Sequence, residues 1–253
     1  MIAPAAVTSY CDAVAIMLRS VLGESLSGVY LHGSAAMGGW VAEFSDVDLL
    51  AVADRPLTAG EKEAVVSALS SAALQAPGVG LEFSLVYNSS FELLTSKPPF
   101  ELHITTGDDI KVVDGARHPG DSDLVMHYAV CRARGLAIFG PVPRMVLPDV
   151  PRRMLLAAFA DEVVWGLEHA QPRYAVLNAC RAWAFAQEGR LLSKVEGGSW
   201  AIEFGVEVEA IRTALAAQRG GIAAIDRVAA EGLVAWVRGT LLSELEATGN
   251  ESG

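Results

Sequence analysis

Asp46 and Asp48 flank Val47 at the entrance of an apolar run, Leu49-Leu50-Ala51-Val52. In an extended strand, residues two apart project from one face with roughly 6.6 Å between their Cα atoms, which places the two carboxylates to share hard cations. Mg²⁺ takes oxygen ligands in octahedral geometry and usually only one or two protein carboxylates, completing its shell with water and substrate phosphates. Upstream, the apolar run Val29-Tyr30-Leu31 stops at Gly33-Ser34, and a loop containing Gly38 and Gly39 follows. A glycine lets backbone N–H groups approach an anion closely, and a serine hydroxyl adds a donor. The chemistry these pieces describe is a nucleoside triphosphate held by its phosphates and its metals. Either piece alone is common by chance. Their conjunction is not, because a charge left unpaired among apolar neighbours costs several kcal/mol or more.

The elements that must hold these residues form a small α/β unit followed by helices. Residues 4–22 carry apolar side chains at helical spacing (Val7, Cys11, Val14, Leu18, Leu22) before Gly23. Strands are expected over 28–32 and 46–53. A helix fits 59–75, opened by Thr58 with Glu61 in the capping-box arrangement and closed by Pro77-Gly78. Leu81 to Tyr87 alternates as a strand, and 100–105 reads as another. The alternation sets Glu82, Ser84 and Val86 on one face and Leu81, Phe83, Leu85 and Tyr87 on the other. Beyond Pro151 the periodicity is helical over 151–170, 173–188, 199–218 and 222–246, and the tail from Thr248 is expected to be disordered. The fold class is therefore α+β, a mixed sheet with flanking helices over 1–149 followed by an all-α bundle over 150–253.

The net charge is −11, with 30 acids against 19 bases. Nucleic-acid binding needs clustered Lys and Arg at phosphates, so the balance disfavours that partner and favours a cationic small molecule. The acidity alone would also serve solubility. Cys11, Cys131 and Cys180 are scattered, odd in number and without metal-ligand spacing, which fits reduced, packed thiols. No basic residue precedes Arg19, against a secretory signal, and no apolar run reaches bilayer-spanning length. A cytoplasmic monomer with no membrane partner is expected. His32, His118 and His127 show no metal-ligand spacing and read as structural or solvated.

Gly33-Ser34, eleven residues, then Asp46-Val47-Asp48 resembles the signature of the DNA polymerase beta-type nucleotidyltransferases. Leu31-His-Gly-Ser34 and Ser45-Asp-Val-Asp-Leu-Leu50 resemble, within that group, the streptomycin/spectinomycin adenylyltransferases, which move AMP from ATP to a drug hydroxyl. The similarity continues through Asp123-Leu124, Arg132 to Pro141, Tyr174 to Trp183 and Gly189 to Lys194, and so spans about residues 25 to 205.

The resemblance implies ATP as co-substrate and two Mg²⁺ on Asp46 and Asp48, with Glu82 completing the carboxylate set as general base. A lone strand glutamate is more often solvent-facing, but a neighbouring strand would bring Glu82 beside the aspartates. Converging like charges make a proton harder to remove, which suits a base working near neutrality. Gly33, Ser34 and Ser45 would hold the triphosphate, Lys194 would reach it from the helical domain, and Asp123 would lie near the nucleotide. Asp123 equally fits the N-cap of a helix starting at Leu124.

Streptomycin-using members carry a tryptophan after the fourth strand and another ahead of their Arg-Asn-x-x-Leu helix. Here those segments read His103-Ile-Thr-Thr-Gly-Asp-Asp109 and His169-Ala-Gln-Pro-Arg-Tyr174. The departure weighs against streptomycin and leaves spectinomycin or a relative of these drugs at least as well supported. Trp165, Glu168 and Asn178 are the candidates for the drug side, although a helix Trp with apolar neighbours is more often core. Two other classes stay open: AMP transfer to a protein hydroxyl by a regulator or antitoxin, and a catalytically silent nucleotide-binding module.

Overall fold

The apolar spacing near the N-terminus becomes α1, Ala5–Leu22. Its inward side chains Val7, Tyr10, Cys11, Val14, Leu18 and Leu22 enter the same buried cluster as Val29, Leu31, Leu49, Phe83 and Leu85 from the sheet. In the computed structural model, which describes residues 3–107, 110–221 and 224–250, the chain divides into two compact units, Met1–Asp149 and Val150–Gly253. The expectation that no apolar run reaches bilayer-spanning length is corrected. By length and composition the segment Ala5–Ser25, mean hydropathy 1.4, passes as a membrane span, but its apolar stripe is packed on the sheet.

The first unit holds a six-stranded sheet of β1 (Leu26–Leu31), β2 (Val47–Ala53), β3 (Leu81–Tyr87), β4 (Leu102–Thr105), β5 (Lys111–Asp114) and β6 (Leu136–Phe139), in the order β5-β4-β3-β2-β1-β6. Every neighbouring pair is antiparallel except β2 and β3, which run parallel with Asp48 opposite Glu82. A parallel pair needs a crossover, usually helical. Here α3, Ala59–Leu69, supplies it, opened by a complete Thr58/Glu61 capping box. It stops short of residue 75 because the Ser70 hydroxyl donates to the Ser67 carbonyl and the backbone at Ser70 turns extended, a local bond that competes with helix continuation. A short α2, Gly33–Ala36, follows β1, and α4, Asp123–Arg134, precedes β6.

The strand edges also differ from expectation. Asp46 lies one residue before β2 rather than inside it. β5 and β6 are edge strands at residues where no strand was expected; β5 in particular presents mostly exposed side chains, so no alternation marks it. In the segment after β4 where the streptomycin-type tryptophan is missing, Asp108 and Asp109 lie outside the described residues.

In the second unit, five helices form the bundle among the described residues: α5 (Arg152–His169), α6 (Pro172–Glu188), α7 (Lys194–Glu203), α8 (Val208–Gln218) and α9 (Arg227–Asn250). The alanine-rich α6 is buried over nearly its whole length from Ala175 to Ala186, which its small side chains permit. Trp183 on α6 packs edge-on against Trp200, Phe204 and Trp236. The helix expected over 199–218 is two, because Gly205 (φ 72°) and Glu207 (φ 42°) adopt left-handed backbone that ends one helix and reorients the next. The last helix, expected from residue 222, begins at Arg227; residues 222–223 lie outside the described residues. The tail expected to be disordered is helical from Thr248 to Asn250; residues 251–253 also lie outside the described residues.

Candidate functional site

The carboxylates converge because of register. Cross-strand partners in the parallel pair share a face, and Asp48 and Glu82 are such partners. Asp46, two residues before Asp48, joins them, so that one carboxylate oxygen from each of Asp46, Asp48 and Glu82 lies within 4.8 Å of the others. All three are partly exposed. This cluster offers only hard oxygen donors, the set that suits Mg²⁺ rather than a thiophilic metal.

The loop that follows β1 is fixed around these acids. His32 donates its backbone N–H to the Asp48 carbonyl at 3.0 Å, which carries the chain directly over β2. Gly33 then takes φ 60°, and a Cβ there would fall far inside contact distance of Asp48 Oδ2. The glycine is required twice, by its left-handed backbone and by the carboxylate that occupies the side-chain space. Ser34 Oγ is buried with no hydrogen-bond partner among the described residues, an uncommon state for a buried hydroxyl and one a phosphate oxygen would satisfy. Ser45, expected to contact the triphosphate, is buried and holds the loop together. Its Oγ accepts from Val41 N–H at 3.0 Å and its carbonyl from Val79 N–H at 3.0 Å, which locks the loop against the entrance to β3.

Gly33→Ala is expected to lower stability. Left-handed backbone costs a non-glycine residue about 1–2 kcal/mol, and the methyl must push the Asp48 carboxylate aside. Thermal unfolding checks it; a variant with unchanged Tm would show that the turn relaxes without moving Asp48.

Asp123 is the exposed first residue of α4, not its N-cap. Ser122 holds the cap position, and the Asp123 N–H donates to Asp121 Oδ1 at 3.0 Å. One turn further on, His127 points back at the sheet, with Nε2 3.8 Å from Glu82 Oε1. Its ring lies 4.9 Å from that of His32. Burial, reinforced by His127, holds His32 well below the ordinary histidine range, so it is neutral. His127, expected to be structural or solvated, therefore stands beside the acid cluster; the signal available in the sequence was its place four residues after Asp123, on the same helix face.

In the helical unit, Lys194 is the first residue of α7, behind a Ser193/Glu196 capping box. Its ammonium sits 3.9 Å above the Tyr174 ring, a cation–π contact that orients a charge otherwise disfavoured at a helix N-terminus. The Tyr174 hydroxyl donates to Glu162 Oε1 at 2.6 Å. Trp165, expected more often as core, is 50 % exposed; it stacks on His169 at 5.5 Å and meets Tyr174 edge-on at 6.2 Å. Glu168 is exposed on the same helix. Asn178 differs from the other drug-side candidates. It is wholly buried, with its amide donating to Glu162 and its carbonyl oxygen accepting from Arg181 Nε at 2.6 Å. It therefore fixes Glu162 and Arg181 rather than presenting itself to a ligand.

All three cysteines are free and buried. Burial pushes the Cys11 and Cys180 thiols up to about 12, and Cys131 upward for the same reason, so thiolate chemistry has no part in the site.

Comparison with known proteins adds three findings. The family model described as "Aminoglycoside adenylyltransferase, C-terminal domain" matches residues 145–238. A spectinomycin 9-adenylyltransferase of Staphylococcus aureus is 26 % identical over 197 residues, covering 74 % of each chain, and an aminoglycoside (3'') (9) adenylyltransferase of Klebsiella pneumoniae is 25 % identical over 211 residues, covering 78 % of each. The fold is shared with a spectinomycin adenyltransferase from Enterococcus faecialis solved with ATP and spectinomycin, at TM-score 0.70 and 20 % identity over 92 % of this chain and 98 % of that one. The comparisons thus support a nucleotidyltransferase, one whose residues 145–238 match the aminoglycoside adenylyltransferase C-terminal domain and which is similar to adenylyltransferases over 74–78 % of its length.

Proposed function

We propose that the protein transfers AMP from Mg-ATP to a hydroxyl of an aminocyclitol or aminoglycoside antibiotic, with spectinomycin favoured over streptomycin. The observation that carries the reading is the Asp48–Glu82 register across β2 and β3, with Asp46 beside them and Gly33 beneath Asp48. The names of the relatives and the ATP and spectinomycin bound to the structural neighbour support the substrate classes.

In this reading the Gly33-Ser34 turn receives the triphosphate, and the orphaned Ser34 hydroxyl donates to a phosphate oxygen. Asp46, Asp48 and Glu82 would hold Mg²⁺, two ions in this reading, which supplies neutralisation of charge at the α-phosphate and the departing pyrophosphate. Glu82 accepts the proton of the acceptor hydroxyl. That oxygen forms a bond to the α-phosphorus, the bond from phosphorus to the oxygen bridging toward the β-phosphate breaks, and pyrophosphate leaves with the electron pair. The protein's own contribution is position and charge, as is usual in phosphoryl-type transfers. In the helical unit, Lys194 stands over Tyr174, and exposed Trp165 and Glu168 offer a flat apolar face and a negative charge to a cationic drug.

Purified protein incubated with each nucleoside triphosphate, Mg²⁺ and a panel of aminoglycosides and aminocyclitols is expected to release pyrophosphate only with ATP and an accepted drug. Mass spectrometry should find one adenylyl group on that drug. Label on the protein, or on no acceptor at all, would overturn the reading. Saturating Mg-ATP is also expected to raise Tm, since a ligand that binds only the folded state at a hundredfold its Kd adds about 2.7 kcal/mol. A melting curve that Mg-ATP does not move counts against nucleotide binding.

A further inference from the structure

Glu82 has a neighbour that neither the signature motif nor the carboxylate cluster accounts for. His127 reaches it from α4, with Nε2 3.8 Å from Oε1. The other ring nitrogen, Nδ1, is buried with no hydrogen-bond partner among the described residues. The ring is held at 48° to that of His32, 4.9 Å between centroids. His32 in turn is buried and bonded through its backbone to Asp48.

These contacts choose the nitrogen that acts. Which N–H of an imidazole can act is set by the partners each nitrogen faces: Nδ1 faces none among the described residues, whereas Nε2 faces the Glu82 carboxylate, so the N–H that acts on Glu82 is the one on Nε2. At 3.8 Å the pair is longer than a hydrogen bond, but catalytic hydrogen bonds are often long before substrate arrives.

We propose that His127 is a positioning residue for Glu82. Its Nε2–H holds Oε1 while the His32 ring braces the imidazole from behind, so that the second carboxylate oxygen of Glu82 is aimed at the acceptor hydroxyl. The role needs no proton to leave the imidazole. It also ties the base to the phosphate-binding turn, because His32 is the residue before Gly33. This inference rests on the reading of Glu82 as the base.

Two substitutions of His127, their combination with Glu82→Gln, and one spectrum test it. His127→Phe keeps an aromatic ring against His32 but has no N–H; it is expected to lower kcat by about 10–100-fold, the usual cost of losing an orienting partner, with KM for ATP and Tm little changed. His127→Gln carries an amide N–H at a similar reach and is expected to restore most of the rate. Added to Glu82→Gln, His127→Phe should cost nothing more, because the group it orients is already gone. A further loss in the double variant, or a raised KM for ATP without a kcat effect, would assign His127 to packing or nucleotide binding and overturn the proposal. Independently of activity, long-range ¹H–¹⁵N spectra at one pH should show the His127 ring signals moved by Glu82→Gln while those of His118, which packs on Phe100, stay in place. Unmoved His127 signals would remove the pairing. Failure of the wild-type protein to modify any drug would instead count against the proposed function, and the spectra would still decide the pairing.

Discussion

Replacing Glu82 by glutamine is expected to lower kcat by roughly 10²–10⁴-fold, the ordinary worth of a positioned general base, while leaving Mg-ATP binding nearly unchanged. The amide preserves the volume of the side chain and one acceptor oxygen, so the β2–β3 register that sets Glu82 against Asp48 has no reason to shift. What is lost is the ability to take a proton. The kinetic parameters then distinguish the possible roles of this carboxylate. A fall in kcat alone reports proton transfer. A fall accompanied by a raised KM for the drug shows that the carboxylate also receives the drug's positive charge, a uniform binding contribution. Loss of nucleotide binding in calorimetry would move Glu82 wholly to the metal site, and a wild-type rate would return it to an ordinary strand glutamate.

Asp46→Asn or Asp48→Asn is expected to abolish transfer while the fold stays as stable as the wild type or becomes more so. Asparagine is isosteric with aspartate, so in Asp48→Asn the contact with Gly33 survives. The cluster loses one of three negative charges whose oxygens lie within 4.8 Å of one another. Without a bound cation those charges repel, and relieving the repulsion favours the folded state. With Mg-ATP present the same change removes a ligand, so the Tm rise caused by Mg-ATP should shrink or vanish in the variant. Differential scanning calorimetry with and without Mg-ATP, alongside the transfer assay, measures both effects. Full activity in either variant would remove the metal-site assignment.

The site was legible in the sequence in some places and hidden in others, for physical reasons. The run from Val29 to Val52 was readable because apolar stretches interrupted by Gly33, Gly38 and Gly39 mark strands and a tight loop, and because two aspartates cannot enter an apolar strand without compensation. α6 and α9 were readable from their 3.6-residue spacing. β5 was not: Lys111 and Val112 are exposed at the sheet edge, and an edge strand with no buried face has no alternation to detect. Asp46 was placed inside β2, although its position just ahead of the strand lets it converge with Asp48 all the same. His127 was invisible because its meaning is tertiary. Four residues of helix separate it from Asp123, but only the packing of α4 on the sheet brings it to a glutamate 45 positions earlier in the chain. Asn178, named for the drug side, is wholly buried with its amide engaged by Glu162 and Arg181 inside the bundle, a setting that only packing reveals.

The parallel pairing of β2 with β3 also governs when the site comes into existence. β1 and β2 are an antiparallel pair close in sequence, joined through the short α2 and the loop after it, and hairpins form locally on the microsecond scale. That hairpin already contains Gly33, Asp46 and Asp48. Glu82 arrives only when the chain from Ala53 to Leu81 has folded back through α3, since a parallel partner cannot be reached by a tight turn. A nascent or partly unfolded chain therefore holds two of its three acids without the third, and its capacity for catalysis appears in one step, when the crossover closes.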